Sequence, residues 1–484
     1  MGDLRRIFTR NKLIVGVFLL ALFLRLYHLN QNFVFGVDEE YQAYLAQTIV
    51  RDFHLIWIGV GSTADFYLGP LWTYLTAFLL FVSKGSPLIT GYFSSLLGSV
   101  TVVSIYFVGK KMAGKTVGVA ASLIYATLPL FVFYDQKFWN VSPAPFLSLV
   151  MFYSLLSLKR QLGWLVIFAL AFGLVFHTHL SLLFWGPVAI LWIFFNRLRI
   201  NKVIWLTSTI AFLAVYSPLL VFDYFHNWSN LTTPIRLVTG VKQQPEISFS
   251  NRVADLGNYL GRVWYLGPNQ NNADEVNWGC TYSQTISPNL LKVLSVVLLI
   301  VFLLSPRTWK NERQKLLAIT LLVFLLTYFV FPGNTYEYYL LGFFPLYLFI
   351  PAVLFGRKKL GLFVLAVICC LGLRTILTAK NDYGLGIKRE LVGEVMKTVG
   401  KKPFSLSSEG KCHIAEGWRY LFSVYGRKPE RSDTDKIFGW LYANEITTRP
   451  AVYRVTVYES RLFSFNGREN VIEKGGFATY LSRM

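Results

Sequence analysis

The sequence predicts an all-α polytopic membrane protein: about eleven transmembrane helices, interfacial helices in the first outer loop and a small C-terminal α/β outer domain. Three observations carry the membrane assignment. Hydrophobic residues fill 54% of 484 positions, and with glycine the share is about 61%, against 45–50% in soluble proteins. Charged residues fall to 15%, where about 25% is usual. Lys and Arg number 47 against 26 Asp and Glu, a net +21, which in an apolar chain marks cytoplasmic loops. A soluble multidomain enzyme is excluded, and aromatics at 17% exclude disorder. Four cysteines cannot form a disulfide framework in a chain of this length.

The first apolar run, 12–29, follows Arg5, Arg6, Arg10 and Lys12 and has no small-residue cleavage site, so it is expected to persist as an anchor. Runs long enough to cross a bilayer follow at 88–108, 116–134, 143–158, 162–176, 180–195, 203–225, 290–304, 316–332, 338–355 and 360–378. Between them lie Lys110, Lys111 and Lys115; Lys159 and Arg160; Arg197, Arg199 and Lys202; Arg307, Lys310, Arg313 and Lys315; and Arg357, Lys358 and Lys359. Only Asp3 and Glu312 oppose these basic clusters. The positive-inside rule places all of them in the cytoplasm, with the N-terminus inside and the C-terminus outside. Counting 69–83 as a span would reverse every later loop. That run, from Gly69-Pro70-Leu71-Trp72 to Ser83, is therefore expected to lie in the outer interface.

The first outer loop then covers about 30–87. A second, 226–289, is polar and rich in Asn, Gln and Trp, without a clear period. The chain divides into a membrane domain, 1–378, and an extracytoplasmic domain, 379–484, of soluble composition. Within the latter, Ile387–Val399 has the period of an amphipathic helix and Ala451–Tyr458 alternates like a strand. No internal repeat is present.

The densest chemistry is at Phe35-Gly36-Val37-Asp38-Glu39-Glu40-Tyr41-Gln42. Three adjacent acids are compatible with an ordinary helix start, where Asp caps and acids favour the first turn. Acids are scarce at the other outer mouths, however, and a carboxylate there can serve as a general base. Arg25 lies about one turn inside the outer end of the first span, a costly position unless the guanidinium is paired, faces a polar cavity or snorkels to the interface. His177 and His179 stand two apart and could bind metal or simply line an interface. No Cys or acid is adjacent to them.

The Asp38-Glu39 pair after the first span resembles the signature of the GT-C glycosyltransferases, specifically glycosyltransferase family 39, which includes protein O-mannosyltransferases and aminoarabinose transferases. Gly69-Pro70-Leu71-Trp72 is similar to the family's segment before an interfacial helix. Tyr134-Asp135-Gln136-Lys137-Phe138-Trp139-Asn140 is similar to its outer turn ending in Trp-Asn-Pro. His177-Thr178-His179 and Glu337-Tyr338-Tyr339 with Pro345 also match in order and side.

The resemblance covers roughly 1–378. It implies a polyprenyl-phosphate sugar donor and an acceptor hydroxyl meeting at the outer leaflet. Asp38 would be the base of an inverting transfer, with Glu39 in support. Arg25, Tyr41, Lys137, Asn140, His179, Glu337 and Tyr338 are the candidate substrate-binding residues. Tyr41 stands where aminoarabinose transferases carry a basic residue, and Tyr67-Leu68-Gly69 stands where they carry a lysine, so the phosphate's cation must come from elsewhere. No cofactor is required by this reading, and a divalent metal is left open. The partners expected are the lipid-linked donor, a hydroxyl-bearing acceptor and membrane lipid, without nucleic acid. The alternative is a transporter or flippase of lipid-linked glycans, which would favour inverted repeats and polar groups near the midplane.

Overall fold

The chain leaves its first membrane helix and enters its second long one at the same face, and this sets the layout. The computed structural model describes residues 12–61, 66–233, 248–265, 287–331, 333–356, 358–410, 417–460, 463 and 470–484. Its helices begin with α1 (Lys12–Leu26), a short α2 (Leu29–Asn32), α3 (Val37–Asp52) and α4 (Leu71–Val82). They continue with α5 (Leu88–Ala113), α6 (Lys115–Thr127), α7 (Pro129–Gln136), α8 (Ala144–Leu158), α9 (Trp164–Val175), α10 (Trp185–Phe195) and α11 (Lys202–Phe225). Then come α12 (Phe249–Arg262), within the 226–289 loop, and after that loop α13 (Asn289–Leu304), α14 (Pro306–Lys310), α15 (Glu312–Val330), α16 (Phe344–Tyr347), α17 (Phe349–Phe355) and α18 (Lys359–Thr378). Every apolar run read from the sequence carries helix.

Among the described residues, α5, α11, α15 and α18 are each long and apolar enough to cross a bilayer, and α6 with α7 makes a fifth such unit, bent by 66°. Pro129 opens α7 and cannot supply the backbone donor that would continue α6. The bend swings Asp135 towards α1.

The C-terminal segment forms α19 (Leu385–Val399), β1 (Phe404–Glu409), α20 (Trp418–Tyr425), β2 (Arg431–Ser432), α21 (Asp435–Phe438), β3 (Tyr453–Glu459), β4 (Val471–Lys474) and β5 (Phe477–Arg483). The sheet order is β2-β1-β3-β5-β4, with β1 parallel to its neighbours β2 and β3 and the pairs β3–β5 and β5–β4 antiparallel. The expected amphipathic helix is α19, and the expected strand is β3, shifted by one or two residues. Leu391, Val392 and Val395 of α19 share one apolar core with Phe404, Val455 and Val457 of the sheet. That core is continuous with α3 and α4 through Tyr44, Leu45, Trp72 and Leu80.

Phe33, just after α2, accepts a hydrogen bond from the Leu385 amide at 2.9 Å. Ser86, just before α5, pairs its hydroxyl with that of Tyr425 at 3.0 Å. Both partners belong to the α/β unit, so the segment between α1 and α5 starts and ends at one face. The 12 residues of α4 therefore lie between two contacts with the same unit.

At the far ends of the helices the basic clusters converge. Lys159 pairs with Glu312 at 2.6 Å, Arg313 donates to the Lys111 carbonyl at 2.5 Å, and the Lys111 ammonium donates to Ser157. One reading of the second outer loop needs correction. It contains α12, capped by the Ser248 hydroxyl on the Asn251 amide at 3.2 Å. Phe249, Val253, Leu256 and Leu260 recur along it at helical spacing, and Phe249 packs on Phe329 at 5.1 Å between ring centres, so this part of the loop does carry a clear period.

Candidate active site

The first turn of α3 sends its three acids to three different places. Gly36 is the N-cap residue, and the carboxylate of Glu39 reaches back to accept its amide hydrogen at 2.9 Å. This is one half of a capping box. Asp38 takes no part in the cap. It is exposed and makes no hydrogen bond or ion pair among the described residues. The capping explanation for Asp38 is thereby removed and transferred to Glu39. Glu40 turns the opposite way and is fully buried against the α/β unit, where it accepts the Tyr420 amide hydrogen at 2.9 Å.

Around Asp38 the fold assembles residues from distant segments. Lys137, in the turn after α7, holds its ammonium 3.8 Å from Glu39 and 4.1 Å from the centre of the Trp139 ring. Trp139 packs on Tyr338 at 5.0 Å between ring centres, and Tyr338 lies edge-on to His179 at 5.6 Å. Tyr336 stacks on Tyr338 at 5.7 Å. The Asp38 carboxylate is close enough to Tyr338 for its charge to act on the phenol. The result is an acid, a cation and an aromatic wall at one mouth of the bundle. Two buried polar atoms in it, Glu39 Oε1 and Trp139 Nε1, have no hydrogen-bond partner among the described residues. Such atoms are costly unless something binds them.

The ionisation states follow from burial. Desolvation pushes the Glu39 carboxyl above its ordinary range, and Lys137 opposes the shift. Burial pushes His179 down to about 4, so its ring is neutral at physiological pH. Its Nδ1 accepts the Ser181 amide at 3.2 Å, which leaves the proton on Nε2. His179 therefore offers a donor to a bound ligand without adding charge.

Other candidates stand elsewhere. Arg25 is fully buried and neither snorkels nor faces the mouth. Its Nε and Nη2 bind Asp135 at 2.8 and 2.7 Å, Nη1 donates to the carbonyls of Ala21 and Ala126 at 3.2 Å each, and Nη2 also donates to that of Tyr125 at 3.3 Å. A guanidinium has five N–H donors, and all five are used, so none is left for a phosphate. The absence of a side chain at Gly98 makes room for this pair, since a Cβ there would collide with Asp135.

Glu337 is likewise engaged within the protein. It pairs with the buried Arg262 and accepts the Tyr134 hydroxyl at 2.7 Å, which fixes the segment carrying Tyr336, Tyr338 and Tyr339. Asn140 donates to the Thr178 carbonyl at 2.6 Å and so ties the Lys137 turn to the His179 turn. Tyr41 stacks on Phe438 at 5.3 Å and faces the α/β unit. Both ring nitrogens of His177 are occupied: Nδ1 accepts the Leu71 amide at 3.4 Å and Nε2 donates to Val215 at 2.8 Å. The paired-histidine metal reading is therefore set aside. Among the described residues no group of three or more His, Cys, Asp or Glu side chains could hold a metal ion.

Sequence reasoning missed Arg262, which lies 75 residues from Glu337, and gave no role to Trp139 although the matched turn contained it. Asp135 was quoted in that turn without its partner.

A family model described as dolichyl-phosphate-mannose-protein mannosyltransferase matches residues 68–222. ArnT from Cupriavidus metallidurans, solved bound to undecaprenyl phosphate, is similar over 98% of each chain, with a TM-score of 0.63 and 10% identity. The chain has the GT-C fold. Two oligosaccharyltransferase structures from Archaeoglobus fulgidus share this GT-C architecture. One, in complex with Zn and sulfate, has a TM-score of 0.51 at 11% identity, over 92% of this chain and 67% of that one. The other, AglB with an inhibitory peptide and a dolichol-phosphate, has a TM-score of 0.50 at 12% identity, over 93% of this chain and 70% of that one. No curated protein matches in sequence.

Proposed function

We propose that the protein is a membrane glycosyltransferase that moves a sugar from a polyprenyl phosphate to an acceptor hydroxyl at the outer face, with inversion and with Asp38 as general base. The observation that carries this is the exposed Asp38 carboxylate, unpaired among the described residues, within electrostatic reach of Tyr338 and next in sequence to the Glu39–Lys137 pair, in a fold shared with ArnT. The acceptor oxygen attacks the anomeric carbon as its proton passes to Asp38. The bond from that carbon to the phosphate oxygen breaks, and the lipid phosphate leaves with the electron pair. Lys137 is the cation placed to balance that developing charge. The His179 Nε2–H and the Trp139 Nε1–H are donors for sugar or phosphate oxygens. The polar groups gather at one mouth of the bundle, which disfavours the transporter alternative.

The test is an in vitro transfer assay with a panel of polyprenyl-phosphate sugars and hydroxyl acceptors. In it, Lys137→Met should raise the donor KM by about 10–100-fold, the loss of one charge-assisted hydrogen bond of about 1.5–3 kcal/mol. An unchanged donor KM would remove Lys137 from the phosphate site.

The topology proposed has eleven crossings, the N-terminus in the cytoplasm and the 379–484 domain outside. Single cysteines at Lys111 and Lys358 should resist an impermeant thiol reagent added outside, while one at the exposed Lys397 should react. The second outer-loop position suited to this labelling, Asn271, lies outside the described residues. Labelling of Lys111→Cys from outside would invert the assignment.

A further inference from the structure

The base sits on a stretch of chain that the α/β unit grips from both sides. Before Asp38, the fully buried Lys388 of α19 donates its ammonium to the Phe35 carbonyl at 2.8 Å. The Leu385 amide donates to Phe33 at 2.9 Å. After Asp38, Glu40 accepts the Tyr420 amide at 2.9 Å, across 380 residues of sequence. Tyr44, one turn further along α3, packs between Tyr420 and Tyr442 at 5.5 and 4.4 Å. Gly417, at φ +75°, lies against Phe35 where any side chain would collide.

We propose that the α/β unit positions the catalytic base, with Glu40 and Lys388 as positioning residues that hold the two ends of the 35–40 segment. This rests on the assignment of Asp38 as base. An apolar contact would join two surfaces at lower cost than a buried carboxyl and a buried ammonium. Directional hydrogen bonds add what apolar packing lacks, a single register between the two surfaces. The burial cost is visible in Glu40, whose carboxyl is pushed up to about 7 despite the nearby Arg419 and Lys388, with Asp435 adding to the shift. The bond to Tyr420 needs only an acceptor oxygen, charged or neutral, and a glutamine supplies one. The geometry matters because displacement of a reacting group by about 1 Å can cost about 10²-fold in rate.

The experiment uses the full chain in lipid nanodiscs with a polyprenyl-phosphate sugar and measures kcat and donor KM for Glu40→Ala, Glu40→Gln and Lys388→Met. Glu40→Ala and Lys388→Met should lower kcat by about 10–100-fold with donor KM unchanged, and Glu40→Gln should restore most of kcat. A contact that only anchored the tail would lower stability without lowering kcat per folded molecule. Should Glu40→Ala fail to fold, Glu40→Asp, one methylene shorter, is read in the same way. Wild-type kcat in the folded variants, alongside an inactive Asp38→Asn, overturns the positioning role and leaves the base assignment standing. An active Asp38→Asn overturns both. If no variant at Glu40 or Lys388 other than Glu40→Gln folds, these contacts are anchors only and the inference falls.

Discussion

Asp38→Asn should leave the protein folded and reduce sugar transfer by about 10²–10⁴-fold, the usual contribution of a positioned base. The substitution keeps the size and the planar shape of the side chain. It removes the lone pair that takes the acceptor's proton. The structure makes this test cleaner than the sequence alone would allow, because the cap of α3 belongs to Gly36 and Glu39 and not to Asp38. Binding of the polyprenyl-phosphate sugar should persist in Asp38→Asn, measured by titration with the intact donor. Glu39→Gln should lose less. Glutamine at the third helical position can still accept the Gly36 amide, and the change weakens only the pairing with Lys137. Wild-type turnover by purified Asp38→Asn would show the base to be another group.

Arg25→Leu should be damaging for a different reason, through folding and not through donor binding. It would strand Asp135, which is buried beside α1 and has, among the described residues, only the Tyr125 hydroxyl, at 3.2 Å, as a further partner. Breaking one partner out of a buried ion pair costs about 3–5 kcal/mol. The loss should appear as a lower unfolding midpoint in detergent and a lower yield of inserted protein. The double change Arg25→Met with Asp135→Leu should recover much of it, since apolar replacement of a whole buried pair is often neutral. Donor affinity per folded molecule should stay at the wild-type value in both. A specific fall in affinity at normal stability would return Arg25 to the phosphate site.

The motif at the start of α3 was legible as a functional place, but the division of labour within it was not. Adjacent residues on a helix point about 100° apart. Asp38 therefore meets the open mouth, Glu39 meets the cap and Lys137, and Glu40 meets Tyr420. Nothing in the string Asp-Glu-Glu assigns those neighbours. The same holds for Arg25. Its cost in the membrane was readable, and so was its need for a partner, yet snorkelling, cavity and pairing were equally compatible with the residues. Asp135, 110 positions away, became the partner only because α6 and α7 bend at Pro129.

By itself the sequence determined the membrane class, the placing of the apolar runs, the gathering of the basic clusters and the mixed character of the tail. These rest on composition and on local period, which each segment carries regardless of its neighbours. The tertiary structure alone decided which charges pair and which remain free. Arg25 and Glu337 are engaged by Asp135 and Arg262, while Asp38 is left open next to Glu39, which takes Lys137. The physical reason is that pairing depends on distance and on water excluded at the contact, and both are properties of segments brought together in space.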